Sequence, residues 1–557
     1  MSPSRLDLEV VRWDRDLPAP LSVTSPRDVR CLIDGGFSLD PLELSRLAEA
    51  DPAFPPEDLL ALAFRRHGAG AAERLSGPRS YVLWDGLREQ LVAATDPQGY
   101  RPIFYAERER EISIASRVEL LVSPGLSGLD RAAVAAHVCG FSPVPGSTYF
   151  RGVRELPPGF LLIAGRREVS IRSLRRISAE PRPREAEAAG VLRDTLLSVV
   201  PEYAPEDAPV GVTLSSGLDS TTVAAALRAR RPRAKIFAFV WTARSEPSAD
   251  ESGPALRTAR SLGMEVVEIA ADEHGPLSNP EGILPRWGSP LYNIYIPIWQ
   301  ETFRAARERN VGTLLTGQAG DFAFGAVFPF GDLFLTGRWL RLAREVRAYR
   351  KRVDVDLAWL IRYRILGRSA RWFLPIVRTD PPSWLGPALA ADVPRPPATH
   401  RFALPGDRER RHMLDNPRRM AATADLTAEG AEFGIDLRYP WLDSRVVDLA
   451  RKVPAAWTFS DGFSKALVRK AMRGLLPDEI LDRPEKIYPT ELFLRALRGP
   501  ERAKVDALLS DMIAAELGFI EPEALRRAVD GCARGDWSGA LFWHGLTLEA
   551  WLRRLAR

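Results

Sequence analysis

The sequence predicts an α/β chain of two domains. A smaller α+β domain comes first, and a larger one follows, built on a doubly wound parallel sheet with extra helices. Three observations predict it. The 557 residues exceed what one core ordinarily organises, and 45% of them are hydrophobic, enough for two. Short alternating runs recur between residues 80 and 115, separated by polar turns, as antiparallel strands require. From about residue 190 strand-like and helix-like stretches alternate, which places helices on both faces of a parallel sheet.

Taken in order, the strand-like runs of the first domain are 80–84, 90–94, 102–105 and 111–115. That domain is assigned to residues 1–176. Residues 177–189 carry Pro181 and Pro183 among charged and alanine residues and read as a linker. A helix follows and ends near Glu202. In the second domain, 190–557, strands are expected up to Leu214 and over 235–241, 265–270 and 312–316. Helices are expected over 221–228, 250–262 and 297–309. Residues 333–405 read as an insertion. Its first part, 333–373, is helical and carries eleven Arg or Lys, and 381–405 is proline-rich and irregular. The basic part suits either a solvated hairpin or a docking surface for an acidic or peptidic partner. Ser464 is placed as the cap of a helix that opens at Lys465.

Composition excludes several classes. No run of about 18 uncharged apolar residues occurs, so no membrane insertion is expected. Residues 1–16 mix Asp and Arg and lack the apolar core of a signal peptide. Cys31, Cys139 and Cys532 lie far apart, which suits a reducing cytoplasm rather than a disulfide framework. The six His show no metal-ligand spacing. Net charge is +5, and no recognised nucleic-acid module accompanies it, so no nucleic acid is expected. Only seven Lys occur, at 235, 351, 452, 465, 470, 486 and 504, among 77 basic residues. A Lys kept in such a chain is a candidate for a role that Arg's planar fork does not fill.

The stretch from Val210 to Ser220 organises the chain. An apolar strand runs into Leu214-Ser215-Ser216-Gly217-Leu218-Asp219-Ser220 and then into an alanine-rich helix. Unpaired N–H groups at a helix N-terminus bind anions, and small side chains let a phosphate approach. Asp219 does not belong in a pure anion site, so a cation must join the anion, and a magnesium–nucleotide polyphosphate satisfies both. No Lys stands where a Walker loop needs one. A second loop, Thr316-Gly317-Gln318-Ala319-Gly320-Asp321, also follows a strand. Asp321 is the second hard oxygen ligand, so Asp219 and Asp321 are the expected magnesium pair.

Ser215-Ser216-Gly217-Leu218-Asp219-Ser220 resembles the pyrophosphate loop of ATP pyrophosphatases of the asparagine synthetase type. Residues 433–443, Phe-Gly-Ile-Asp-Leu-Arg-Tyr-Pro-Trp-Leu-Asp, resemble a second stretch of that family, and 95–105 and 149–160 resemble its amidotransferase domain. The resemblance implies an N-terminal-nucleophile amidotransferase-like domain followed by a pyrophosphate-loop synthetase domain of the adenine nucleotide alpha hydrolase type. It implies ATP as cosubstrate, with Leu214 to Ser220, Val240 and Gly317 on the nucleotide. It places Lys486 on the phosphates and reacting centre, and adds Lys465 and Gln318 to the catalytic set. Glutaminases of the family expose a Cys as first residue, whereas here Ser2 and Pro3 follow Met1, and the segment ahead of Ser80 is short for the whole sheet. The first domain is therefore read as degenerate.

The resembling families divide by their second substrate. Gln318 stands where asparagine synthetases carry Glu and β-lactam synthetases carry Tyr. A third branch, the lasso-peptide macrolactam cyclases, has a degenerate first domain and varies at this position. That branch implies a precursor peptide as substrate, with a leader-recognition protein and a leader peptidase as partners. A small-molecule amide synthetase and a non-catalytic nucleotide-binding regulator are the alternatives.

Overall fold

The computed structural model describes residues 11–14, 29–34, 56–68, 70–74, 80–99, 101–123, 125–141, 143–174, 181–278, 288–290, 293–325, 328–367, 369, 381–394, 404–415, 417–483, 490–536 and 541–557. The N-terminal part contains strands β1 (Val11–Asp14), β2 (Val29–Asp34), β3 (Ser80–Asp85), β4 (Gln90–Ala94), β5 (Phe104–Glu107), β6 (Glu111–Ala115), β7 (Arg154–Glu155), β8 (Phe160–Ala164) and β9 (Val169–Ser173). They form two antiparallel sheets, ordered β1-β6-β5-β7 and β2-β3-β4-β8-β9. Alternation along β3 explains the layering. Val82 and Trp84 face the other sheet and meet Tyr105, Ile112 and Ile114. Tyr81 and Leu83 face outward, against Leu59 and Phe64 of helix α1 (Pro56–His67). The segment ahead of Ser80, read as short for a whole sheet, supplies an edge strand to each: β1 pairs β6 and β2 pairs β3.

The second unit is mixed α/β, with a five-stranded parallel sheet. Its strands are β10 (Val210–Thr213), β11 (Ile236–Thr242), β12 (Glu265–Ala270), β13 (Thr313–Thr316) and β14 (Asp436–Arg438), in the order β12-β11-β10-β13-β14. All four neighbouring pairs are parallel. The chain winds outward from β10 to β12, then returns to β13 on the other side of β10. The gap beyond the carboxyl ends of β10 and β13 is the switch point, where such sheets bind ligands. Helices over Ala188–Glu202, Leu218–Arg230, Ser252–Ser261 and Ile296–Glu308 join the strands, and Leu196, Val223, Phe303 and Leu315 share one core.

The two parts are packed together. Helix Arg131–Val138 is capped by Asp130, which accepts from the Ala133 N–H at 2.9 Å. Its Val134 and Val138 share a core with Leu546 and Trp551 of the C-terminal helix Phe542–Leu555. Arg101, on the loop before β5, lies 2.9 Å from Asp436 of β14. Among the described residues no helix is long and apolar enough to cross a membrane. Of the proposed linker, residues 177–180 lie outside the described residues, and the chain enters its next helix at Ala188. The insertion holds helices Phe330–Leu335 and Trp339–Arg350 and a π-helical segment, Leu360–Leu366.

One element differs from expectation. Ser464 does not cap the helix after it. It lies in the short strand Phe463–Ser464, and the helix Ala466–Met472 begins after Lys465, which takes a left-handed conformation at φ 55°. The turn aims the Lys465 side chain back toward the sheet, where its partners lie.

Candidate active site

The loop after β10 is held by its own hydroxyls. Ser220 Oγ accepts from the Ser215 N–H at 3.1 Å, and Ser215 Oγ accepts from the Gly217 N–H at 3.1 Å. The two hydroxyls are 3.0 Å apart. Leu214 continues the strand by donating its N–H to Phe239 at 2.8 Å. Helix Leu218–Arg230 therefore starts at Gly217 with no side-chain cap, and its first N–H groups face the switch point. The loop after β13 lies directly on this turn. A Cβ on Gly317 would stand 2.3 Å from the Ser220 nitrogen, and one on Gly320 would stand 2.4 Å from Asp219 Cγ. Gly317 lets two backbones meet, and Gly320 leaves room for the Asp219 side chain.

That approach brings the two predicted carboxylates together on an ammonium. Lys465 Nζ lies 2.6 Å from Asp219 Oδ2 and 2.6 Å from Asp321 Oδ1. Burial opposes the lysine's charge, but the two carboxylates outweigh it and hold its pKa well above the ordinary lysine value. A cation thus already bridges the pair. The hard oxygen donors of the pair are of the kind that suits a magnesium ion. Among the described residues no three His, Cys, Asp or Glu side chains converge, so phosphate and water oxygens would complete the sphere.

The remaining predicted residues separate. Ser216 Oγ donates to Glu251 Oε2 at 2.7 Å and accepts from Arg483. Arg483 is also 3.9 Å from Glu251. Val240 is buried near the end of β11, beside the strand that carries the loop. Gln318 is half-buried, and its N–H donates to Thr316 Oγ1 at 3.2 Å. Lys486 lies outside the described residues. Sequence reasoning missed Glu251, Arg483, Gly320 and Trp441 as site residues. Trp441 Nε1 donates to the Asp219 carbonyl at 3.2 Å and so fixes the helix turn that carries the carboxylate. Arg483 had a signal, since it opens the Arg483-Pro484-Glu485-Lys486 stretch. Glu251 had none, because nothing in its neighbours marks it.

Residues 191–553 match the family described as asparagine synthase, and residues 56–174 match the glutamine amidotransferase domain. The first match spans most of the chain. The chain belongs to the asparagine synthase family. It is an ATP-dependent carbon–nitrogen ligase with a glutamine amidotransferase-like N-terminal domain. Among similar proteins is asparagine synthetase [glutamine-hydrolyzing] 1 of Bacillus subtilis, 23% identical over 78% of this chain and 71% of that protein. Another is a putative asparagine synthetase [glutamine-hydrolyzing] of Mycobacterium bovis, 25% identical over 88% of this chain and 80% of its own length. Among solved structures, a glutamine phosphoribosylpyrophosphate amidotransferase from B. subtilis covers 43% of this chain and 60% of its own, at 12% identity. Its TM-score is 0.18, which carries no argument.

Proposed function

We propose that this family member closes a macrolactam in a precursor peptide. The bound Asp or Glu side-chain carboxylate attacks the α-phosphorus of ATP, and the bond to pyrophosphate breaks. The peptide's N-terminal amine then attacks the acyl carbon, AMP leaves, and the nitrogen loses one proton. The observation that carries the ATP half is the carboxylate pair gathered on Lys465 beside an uncapped helix N-terminus at the switch point. Asp219 and Asp321 would hold magnesium, which when bound supplies charge neutralisation to the polyphosphate. Lys465 and Lys486 would add ammonium contacts to the leaving group.

One feature supports a peptide amine over glutamine-derived ammonia. Gln318 offers a carboxamide that hydrogen-bonds a peptide group but does not take a proton. A leader-recognition protein and a leader peptidase would prepare the substrate in the cytoplasm.

A second reading, small-molecule amide synthesis, is favoured by the relatives' names, which describe glutamine-hydrolysing asparagine synthetases. The deciding experiment incubates the purified protein with ATP, magnesium and leaderless candidate peptides. The macrolactam reading expects one AMP and one pyrophosphate per product, and a product lighter by one water. Asparagine formed from aspartate with ammonia or glutamine, and no peptide product, would replace it by the second reading.

A further inference from the structure

Among the described residues of the insertion, one set of apolar side chains packs inward and another stands exposed. Leu333, Leu342, Leu360 and Ile365 turn inward and pack with Phe330 and Phe459. The side chains between them turn outward. Leu340 is 91% exposed, Trp339 66%, Tyr363 53% and Trp359 42%. Ile361 and Leu366 are exposed as well. A helix that only faces water carries polar residues there, and contiguous exposed apolar side chains mark an interaction surface.

The charge along this segment is predominantly positive. Leu340, Arg344, Arg347 and Lys351 recur at helical spacing, so they stand on one stripe, and all four are exposed. Arg364 lies 5.4 Å from the Trp359 ring and Arg362 5.5 Å from that of Tyr363, so guanidinium and exposed aromatic groups interleave. The acids of 338–366 do not balance them. Glu345 is buried, and Asp356 is engaged in capping the Trp359 N–H at 2.6 Å. Asp354 remains. Counting along 338–366 gives eight Arg and one Lys against three acids, a surplus of six positive charges.

We infer that this face docks the protein on an anionic lipid surface, through Trp339, Leu340, Trp359 and Tyr363 in the headgroup region and Arg344, Arg347 and Lys351 on the phosphates. Trp and Tyr bodies suit the headgroup boundary, and flanking Arg and Lys answer its negative potential. An acidic protein would match the arginines alone. The bilayer surface takes the charge and the exposed apolar side chains together. Docking of this kind is peripheral and needs no spanning helix.

The test is co-sedimentation of the full chain with phosphatidylglycerol–phosphatidylcholine vesicles beside pure phosphatidylcholine. Binding to the anionic vesicles alone, lost at high salt, is expected. Arg347→Gln with Lys351→Gln should weaken it roughly thirtyfold, from ~1 kcal/mol per basic residue near the surface. Trp339→Ser with Leu340→Ser should weaken it too and reduce the blue shift of tryptophan emission on binding, Trp359 keeping the remainder. All four positions are exposed, and unchanged thermal unfolding of each variant confirms an intact fold. No binding, equal binding to both vesicle types, or binding unaffected by all four substitutions overturns the inference. So does capture by polyglutamate in place of vesicles, which would assign the face to an acidic protein.

Discussion

Lys465 holds two carboxylates at 2.6 Å each, in a left-handed backbone conformation that costs a non-glycine residue energy. Such strain persists where a contact over-determines it. Replacing the residue by Met removes the Lys465 ammonium from between Asp219 and Asp321. For a fully buried pair that costs ~3–5 kcal/mol. The Asp321 side chain is 42% exposed, so the loss here should fall below that range. Magnesium separates the metal site from a plain salt bridge. It should raise the unfolding temperature of Lys465→Met by several degrees and that of the wild type by less, since in the variant the Lys465 ammonium no longer competes for the two carboxylates. Thermal unfolding with and without magnesium checks this. A variant indifferent to magnesium would show that the pair is only a salt bridge. At Lys486 the sequence supplies the argument. Lys486→Arg should cost turnover about 10²–10³-fold if a preorganised ammonium is needed, while ATP affinity changes little. Single-turnover kinetics beside ATP binding measures both.

Among the elements, the meeting of β13's loop with helix Leu218–Arg230 positions the site. Gly317 faces backbone atoms of Ser220 at 2.3 and 2.5 Å from an ideal Cβ, and backbone does not swing away as a side chain does. Gly317→Ala should therefore push the two loops apart. Overpacking of this kind costs about 1–3 kcal/mol. The displacement also separates Asp321 from Asp219, so ATP–pyrophosphate exchange should fall by more than the stability loss explains. Urea unfolding and exchange rates on one preparation give the comparison. An alanine variant with wild-type exchange would mean that the loop contact is not what sets the carboxylate spacing.

Across the whole molecule, the seam between the two parts buries acids. Asp425, on helix Pro417–Glu432, is nearly fully buried, and burial pushes its carboxyl up to about 8, with help from Glu119, Glu155 and Glu429. Burial likewise pushes Glu155 of β7 up to about 7. Glu119 and Glu155 belong to the N-terminal part, so these charges act across the seam. An acid whose folded pKa is raised binds its proton more tightly folded than unfolded. Stability from this source is full below the ordinary carboxylate range and is lost as pH rises through the folded values, about 7 and 8. Asp425→Asn should flatten that decline and unfold at a higher temperature than wild type at mildly alkaline pH, with Glu155 keeping part of the slope. Melting curves from acid to mildly alkaline pH test it. Parallel curves for the two proteins would remove Asp425 from the account.

What the sequence determined by itself is local. The order of strands and helices follows from apolar periodicity over a few residues, and the two nucleotide loops follow from Ser, Gly and Asp placed between a strand and a helix. The carboxylate pair was legible for the same reason, since Asp219 and Asp321 each sit one loop beyond a strand of one parallel sheet. What only the tertiary structure decided is which distant groups those residues face. Lys465 reaches Asp219 across 246 positions of chain, and Arg483 reaches Ser216 across 267. The raised carboxyl of Asp425 depends on acids from the other part of the molecule, and the exposed face of the insertion depends on which side Phe459 packs against. Periodicity fixes how a segment folds because neighbouring residues set its backbone. Charge partners and exposure are set by packing between segments, which no local pattern records.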